Sequence, residues 1–131
     1  MQLQGKKILI CGVANKRSIA WAIAQACHEA GAELAFTYLN DRLEPFVRKL
    51  GDSIGVQQYF ELDVGNNDHF DALHDSIEAA WGCVDGVVHS IAFANKEAFD
   101  RRFYETERAD FLQAVDISAY SLVPLARCLR P

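Results

Sequence analysis

The stretch at positions 12–20, Gly-Val-Ala-Asn-Lys-Arg-Ser-Ile-Ala, has residue types that could bind a phosphate. A tight turn between a strand and a helix presents free backbone N–H groups at the helix N-terminus, and the helix dipole there favours a pyrophosphate. Gly12 would let the backbone approach a phosphate closely, and Ser18 could cap the helix or donate to a phosphate oxygen. Of the usual Gly-x-Gly-x-x-Gly only Gly12 is present, so this stretch alone fits a plain serine-capped turn equally well.

Two other short segments could contact a ligand bound at that turn. Asp63 follows an apolar run, and parallel strands bring their carboxyl ends to one edge of a sheet. Its carboxylate could accept a hydrogen bond from an amino group, although an aspartate that only forms a turn or caps a helix is the alternative. Ser90, Ile91 and Ala92 follow the next apolar run, where small side chains would let a ligand lie close to the backbone.

A parallel sheet is needed to bring these segments together, and the hydrophobic pattern predicts one. Apolar runs at 7–11, 33–38, 56–62 and 84–89 indicate buried strands. Helical periodicity at 18–30, 41–50 and about 67–81 alternates with them. The order βαβαβαβ predicts an α/β, Rossmann-type doubly wound parallel sheet, truncated to its first four strands and their helices, in one domain over 1–131.

Caps and breakers give the expected limits of the helices. Gly31 should be the left-handed C-cap of the first helix, Gly51 should end the second, and Asn67 or Asp68 should cap the third. A polar, mobile loop is predicted at 95–104, followed by a helix over about 107–130 that Pro124 kinks. The first helix should bury one face, made of Ile19, Ala22, Ile23, Ala26 and Cys27.

Composition narrows the functional classes. The chain has 131 residues, 50% hydrophobic and 24% charged, with a net charge of −5 and both signs mixed, which argues against a nucleic-acid binder. No apolar stretch is long enough for a signal peptide or a membrane span. The four cysteines, Cys11, Cys27, Cys83 and Cys128, form no metal-ligand pattern. We expect buried thiols, no metal site and a cytoplasmic protein.

An ordered set of motifs carries a family resemblance. After the turn at 12–20 come Glu-Leu-Ala-Phe-Thr-Tyr at 33–38, Asp-Val at 63–64, His-Ser-Ile-Ala-Phe-Ala at 89–94 and Asp-Ile-Ser-Ala-Tyr-Ser at 116–121. Across essentially the whole chain this set resembles the enoyl-acyl-carrier-protein reductases, a divergent branch of the short-chain dehydrogenase/reductases. Other short-chain carbonyl reductases are the alternative, but they carry Asn-Asn-Ala-Gly where this chain has His-Ser-Ile-Ala.

The resemblance implies reduction of the trans-2 double bond of enoyl-acyl-carrier-protein with NADH in fatty acid biosynthesis. It places Gly12, Ser18 and Ile19 at the pyrophosphate and nearby ribose; core packing is the alternative for Ile19, and both roles could hold together. It also places Asp63 and the backbone of Val64 at the adenine. Ser90, Ile91 and Ala92 are assigned to the nicotinamide half of the cofactor and Ala94 to the acyl substrate. For His89, a packed strand histidine is the preferred interpretation.

The choice between NADH and NADPH depends on the end of the second strand, Leu39-Asn40-Asp41-Arg42. NADH-using members commonly have a polar residue where this chain has Leu39, so one hydrogen bond is missing. Asp41 would repel a 2′-phosphate while Arg42 could attract one, and on balance NADH is favoured over NADPH.

The family's catalytic Tyr-x6-Lys pair lies in a later helix, so no catalytic residue is expected in this chain. We expect the 131 residues alone to be unstable and inactive, because a following strand and helices are missing. The implied partners are acyl carrier protein and identical subunits, a tetramer with the long helix between them. A non-catalytic nucleotide-binding module is the second alternative, against which the loop at 95–104 and Ala94 favour an enzyme.

Overall fold

Four parallel strands form the sheet of the computed structural model, which describes residues 2–131. The strands are β1 (Lys7–Cys11), β2 (Glu33–Tyr38), β3 (Gln58–Glu61) and β4 (Gly86–His89). Their order is β3-β2-β1-β4, and every neighbouring pair is parallel. The predicted fold class is confirmed, although the third and fourth strands are shorter than predicted.

Among residues 2–131, six α-helices connect and follow the strands. They are α1 (Ile19–Glu29), α2 (Glu44–Asp52), α3 (Asn67–Ala80), α4 (Lys96–Asp100), α5 (Arg108–Val115) and α6 (Leu122–Leu129). A short 3₁₀ helix (Phe103–Glu105) follows α4, and a π turn (Asp116–Tyr120) joins α5 to α6. Within residues 2–131, no helix is both long enough and apolar enough to cross a membrane.

The sheet is covered on both faces because successive strand residues point to opposite sides. Ile10 and Phe36 pack with the apolar residues of α1 and α2, whereas Leu9 and Ala35 pack with those of α3 and α6. All four side chains are completely buried. Burial of a large apolar side chain contributes roughly 1.5–3 kcal/mol, so two such layers hold the strand ends in fixed positions.

The buried face of α1 differs from the prediction. Ala20, Trp21 and Ala24 are buried, whereas 74% of the Ile19 side chain is exposed. Trp21 occupies the core position, edge-to-face with Phe36 at 6.5 Å between ring centroids. The predicted face was therefore wrong for Ile19, Ala22 and Ala26, which are exposed, whereas Cys27 is partly buried against this core. The large aromatic ring of Trp21 fixes the rotation of the helix.

Two of the predicted helix ends also differ. Gly31 has the expected left-handed φ of +92°, but Gly51 lies inside α2 and the ring of Tyr59 packs where its β-carbon would be. The glycine that takes a left-handed φ after α2 is Gly55. Asn66 caps α3 in place of the predicted residues 67 or 68, since its Oδ1 accepts from the N–H of Asp68 at 3.0 Å.

The region from 95 to 130 differs from the prediction in two ways: its first part contains helices, and its long helix is interrupted. The expected loop at 95–104 contains α4 and the 3₁₀ helix. The long helix is interrupted at the π turn, where Ser121 N–H donates to Asp116 O at 3.1 Å, and not at Pro124. Pro124 lies in the first turn of α6, where proline is tolerated.

Candidate functional site

The candidate site lies where the strand order reverses, between β1 and its neighbour β4. At such a point the chain leaves the carboxyl ends in opposite directions and opens a crevice. Gly12 follows β1 with a φ of +111°, and a β-carbon there would overlap the carbonyl oxygen of Ser90 and lie 2.7 Å from its carbon. Ser90 N–H also donates to Cys11 O at 3.0 Å. Glycine is thus required because the two turns touch, which the sequence could not show.

A cleft of about 420 Å³ opens at this edge of the sheet. Its volume lies within the range of roughly 300–1,000 Å³ that is typical of small-molecule sites. The structure brings most of the predicted site residues to its lining: Gly12, Leu39, Asp63, Val64, Ser90, Ile91 and Ala92. The three chain segments named from sequence therefore converge on one cleft.

Ser18 supports the turn beneath this cleft and does not line it. Its backbone is the N-cap of α1, but its Oγ accepts from the N–H groups of Ala14 at 3.0 Å and Asn15 at 3.1 Å. Ser18 is thus the N-cap residue, as one of its two interpretations had it, but its hydroxyl makes no capping bond to α1 because it turns back to the preceding loop. The first N–H groups of a helix have no partner within it; Trp21 and Ala22 N–H donate to Ser18 O, so in the described chain the N–H groups of Ile19 and Ala20 are the ones left for an anion. Ile19 is exposed, which excludes the core-packing alternative.

Asp63 closes a turn and also borders the cleft. Its Oδ1 accepts from Gly65 N–H at 2.9 Å, which is the turn role, and its own N–H donates to His69 Nδ1 at 2.9 Å. The carboxylate is only half-buried and borders the cleft. A carboxylate has two oxygens with about four acceptor sites, so it retains capacity to accept from a ligand.

Residues 39–42 contribute one apolar group to the cleft. The Leu39 side chain is 46% exposed and lines it. Asn40 holds the following turn, since its Oδ1 accepts from Leu43 N–H at 3.2 Å. Asp41 and Arg42 are exposed and lie outside the lining.

The end of β4 is fixed by a polar contact with the π turn. His89 Nε2 lies 2.7 Å from Ser121 Oγ, and the serine is 1% exposed. The packed interpretation of this histidine is therefore confirmed. Ala94 is half-buried just before α4 and lies outside the cleft lining, so the structure does not bring it to the cofactor residues.

Several lining residues were not named from the sequence. They are Val13, Ala14, Thr37, Tyr38, Leu43, Leu62, Phe93, Gln113 and Ile117. Thr37 and Tyr38 end β2 and could have been found by the same strand-end argument that identified Asp63. Gln113 and Ile117 reach the cleft only because α5 and the π turn fold over it. Ile117 lies in the motif at 116–121, although no site role was given to it, and no sequence signal marks Gln113.

The thiols around the site are protonated. Burial raises the pKa of Cys11 to about 12 against an opposing hydrogen bond with Thr37, and burial raises the pKa of Cys128 to about 11. All four cysteines are free in the described chain. Cys11 is buried, Cys27 and Cys128 are half-buried and Cys83 is exposed, so the expectation of buried thiols holds fully only for Cys11 and was wrong for Cys83. Neutral buried thiols are poor nucleophiles, and Cys11 serves packing behind the cleft.

A second cleft, of about 330 Å³, lies at the amino ends of β2 and β3 and includes His28, Glu33 and Gln58. That edge has neither a strand carboxyl end nor a helix N-terminus facing it. The cleft beside Gly12 is therefore the better candidate for an anionic ligand.

Comparison with known proteins adds an independent result. The family model described as Enoyl-(Acyl carrier protein) reductase matches residues 12–131. The chain belongs to this family. Membership in the enoyl-(acyl carrier protein) reductase family confirms the resemblance drawn from the motifs and favours it over the carbonyl-reductase alternative.

Individual relatives agree with the family assignment. The chain is 48% identical over 130 residues to the enoyl-[acyl-carrier-protein] reductase [NADH] FabI of Neisseria meningitidis serogroup B, covering 98% of this chain and 50% of that protein. The Anaplasma phagocytophilum enoyl-(acyl-carrier-protein) reductase in complex with NAD superposes with a TM-score of 0.94 at 37% identity. The match covers 98% of this chain and 49% of that one. The Bacillus cereus reductase with NADP+ and indole naphthyridinone superposes with a TM-score of 0.93 at 45% sequence identity, and the match covers 98% of this chain and 51% of that one. The chain thus spans about half the length of these relatives.

Proposed function

We propose that this chain supplies the NADH-binding part of an enoyl-acyl-carrier-protein reductase, which reduces the trans-2 double bond of enoyl-acyl-carrier-protein in fatty acid biosynthesis. The observation that carries the proposal is the convergence of Gly12, Asp63 and Ser90 on one cleft at the strand-order reversal. Family membership and the names of the relatives support the same assignment.

The residues of the cleft fit a dinucleotide. The turn after Gly12 and the N–H groups of Ile19 and Ala20 at the start of α1 would hold the pyrophosphate, with Ser18 supporting the turn and the Ile19 side chain beside the ribose. The Asp63 carboxylate would accept from the adenine amino group, and Val64 N–H would donate to the ring. Leu39 would lie near the adenine ribose.

The nicotinamide half of the cofactor is assigned to the strip Ser90–Ile91–Ala92, with the acyl substrate towards Ala94. Bound NADH would supply the hydride that reduces the enoyl double bond. The residues of this chain bind and orient; the tyrosine–lysine pair is proposed to lie outside these 131 residues. Tyr120 is not a substitute, since Arg127 stands where the family spacing would require lysine.

NADH is proposed in preference to NADPH. Asp41 lies close in sequence to the lining residue Leu39, and its charge would oppose a 2′-phosphate. The Neisseria relative is named for NADH, whereas the Bacillus cereus structure carries NADP+. Titration with each nucleotide will distinguish the two, and tighter binding of NADPH would contradict the preference.

We also propose acyl carrier protein as the macromolecular partner, a homotetramer as the assembly and the cytoplasm as the location. The exposed apolar residues of α5 and α6 support subunit contacts: Phe111, Leu112, Val115, Leu122 and Val123. Free cysteines support a reducing compartment.

Substitution of Asp63 tests the cleft assignment. In Asp63→Asn the amide can still accept from Gly65, so the turn persists while the charged acceptor for the adenine amino group is lost. We expect the Kd for NADH to rise about tenfold, because a hydrogen bond to a charged group contributes roughly 1.5–3 kcal/mol. Isothermal titration measures it, with Asp68→Asn in the first turn of α3 as the matched control.

Equal affinity of Asp63→Asn and wild type for NADH would contradict the proposed adenine site. Titration with an enoyl thioester addresses the alternative function. A non-catalytic nucleotide-binding module would bind NADH and ignore the thioester in the full-length protein.

A further inference from the structure

The strip Ser90–Ile91–Ala92 is irregular in backbone, yet it is anchored at both ends. Before the strip, His89 Nε2 contacts Ser121 Oγ at 2.7 Å. After it, Phe93 N–H donates to Ser118 Oγ at 3.0 Å, and the same hydroxyl donates to Phe93 O at 3.2 Å. Both anchoring serines come from one place in the fold, the π turn and the residue that follows it.

The hydrogen bonds of Ser121 determine the direction of its contact with His89. Ser121 Oγ donates to Ile117 O at 2.7 Å, which uses the only proton of the hydroxyl. With that proton donated to the Ile117 carbonyl, His89 Nε2–H is the donor to Ser121 Oγ, and we infer this tautomer of His89. Since Ser121 is 1% exposed, loss of either bond would leave a polar group without water.

Ser118 satisfies both main-chain groups of Phe93 with a single hydroxyl. Ile117, the residue just before Ser118 in the π turn, lines the cleft, and its Cδ1 lies 3.4 Å from where a β-carbon on Gly65 would be. The same π turn therefore touches the nicotinamide strip and the turn that carries Asp63. Neither serine is among the described residues that line the cleft.

We propose that Ser118 and Ser121 are positioning residues, which hold the two ends of the Ser90–Ala92 strip in the conformation that receives the nicotinamide half of the cofactor. The inference rests on the proposed function. The two serines would act on the cofactor only through the strip. The π turn, which interrupts the long helix, would thereby contribute to cofactor binding.

Ser118→Ala is the primary variant because Ser118 is only half-buried and the change removes one oxygen. It is made in the full-length protein together with Ser118→Thr, which keeps the hydroxyl, and with Ser76→Ala, an exposed serine of α3, as control. We expect the Phe93 amide hydrogen to exchange about tenfold faster in Ser118→Ala, in line with the loss of roughly 1–1.5 kcal/mol of local stability.

Steady-state kinetics provide the second measurement. We expect the KM for NADH to rise roughly five- to tenfold in Ser118→Ala with kcat changed less than about twofold, and Ser118→Thr to restore KM. General destabilisation would instead lower the number of active molecules and leave KM unchanged. A KM equal to that of wild type, or unchanged exchange at Phe93, would overturn the inference.

Ser121 is tested without relying on a buried variant that could fail to fold. Nitrogen-15 NMR of wild-type His89 should show the Nε2–H tautomer, and the Nδ1–H tautomer would overturn the assignment of Ser121. NADH binding by wild type and by Ser118→Ala separates a failure of the proposed function from a failure of the positioning role. A wild-type protein that does not bind NADH refutes the proposed function and with it the inference, whereas normal NADH binding in both wild type and Ser118→Ala refutes the inference alone.

Discussion

At the scale of single residues, the candidate site depends on two backbone turns that touch. Gly12 is required by the carbonyl of Ser90 as much as by any ligand, and Asp63 both closes its own turn and borders the cleft. Each residue thus has a structural role and a proposed binding role, and substitutions must be chosen to separate the two.

Gly12→Ala should be severely destabilising. The new β-carbon would overlap Ser90, and the φ of +111° is unfavourable for any L side chain. We expect the free energy of unfolding to fall by about 3 kcal/mol or more, and NADH affinity to fall with it, as measured by urea denaturation and titration.

Gly82→Ala is the matched control for Gly12. Gly82 also has a left-handed φ, of +79°, but no atom lies within 4 Å of a β-carbon there. We expect a loss of only about 1–2 kcal/mol from backbone strain. Equal losses in the two variants would show that contact with Ser90 is not what demands glycine at position 12.

At the scale of elements, β1 and β4 are joined at their amino ends by an aspartate. Asp85 Oδ2 accepts from Lys7 N–H at 2.8 Å, and Asp85 N–H donates to Lys7 O at 2.8 Å. Lys6 Nζ lies 3.3 Å from Oδ1. The hydrogen bond from the Lys7 backbone, followed by that from Lys6, lowers the pKa of Asp85 below its ordinary value of 3.8.

The sign of this shift predicts an acid-sensitive contact. Because the folded state holds the charged form, the stabilisation is present above the ordinary pKa and is lost as pH falls below about 4. We expect urea denaturation at a series of pH values to show a shallower acid loss of stability in Asp85→Asn than in wild type. Asp100→Asn, at the exposed end of α4, is the control, and identical pH profiles for Asp85→Asn and wild type would contradict the assignment.

At the scale of the whole molecule, the sheet has an open edge at β4. Every residue of that strand is only half-buried, and β1 is its sole neighbour in the described chain. Large apolar side chains are also exposed beyond it, including Phe99 at 76% and Phe103 at 93%. An unpaired strand edge beside exposed apolar surface favours association.

The 131-residue chain produced by itself should therefore associate. We expect light scattering to show a mass that rises with concentration, and bound hydrophobic dye to fluoresce more strongly than with the full-length family relatives. We also expect no reduction of enoyl thioesters by NADH. A monodisperse monomer that unfolds cooperatively would contradict the expectation that the β4 edge and the exposed apolar side chains must be covered by further protein.

The alternation of apolar runs with helical periodicity was sufficient to predict the parallel sheet, because buried strands and amphipathic helices leave distinct periods in a sequence. The motifs were sufficient to predict the family and the three segments that meet at the cleft, since parallel strands carry their final residues to one edge. The rotation of α1, the location of Gly51 within α2 and the π turn depended on Trp21, Tyr59 and Ser121 finding partners distant in sequence. Such contacts form only when the chain is packed, so tertiary structure alone decided which residues support the strip beside the cleft.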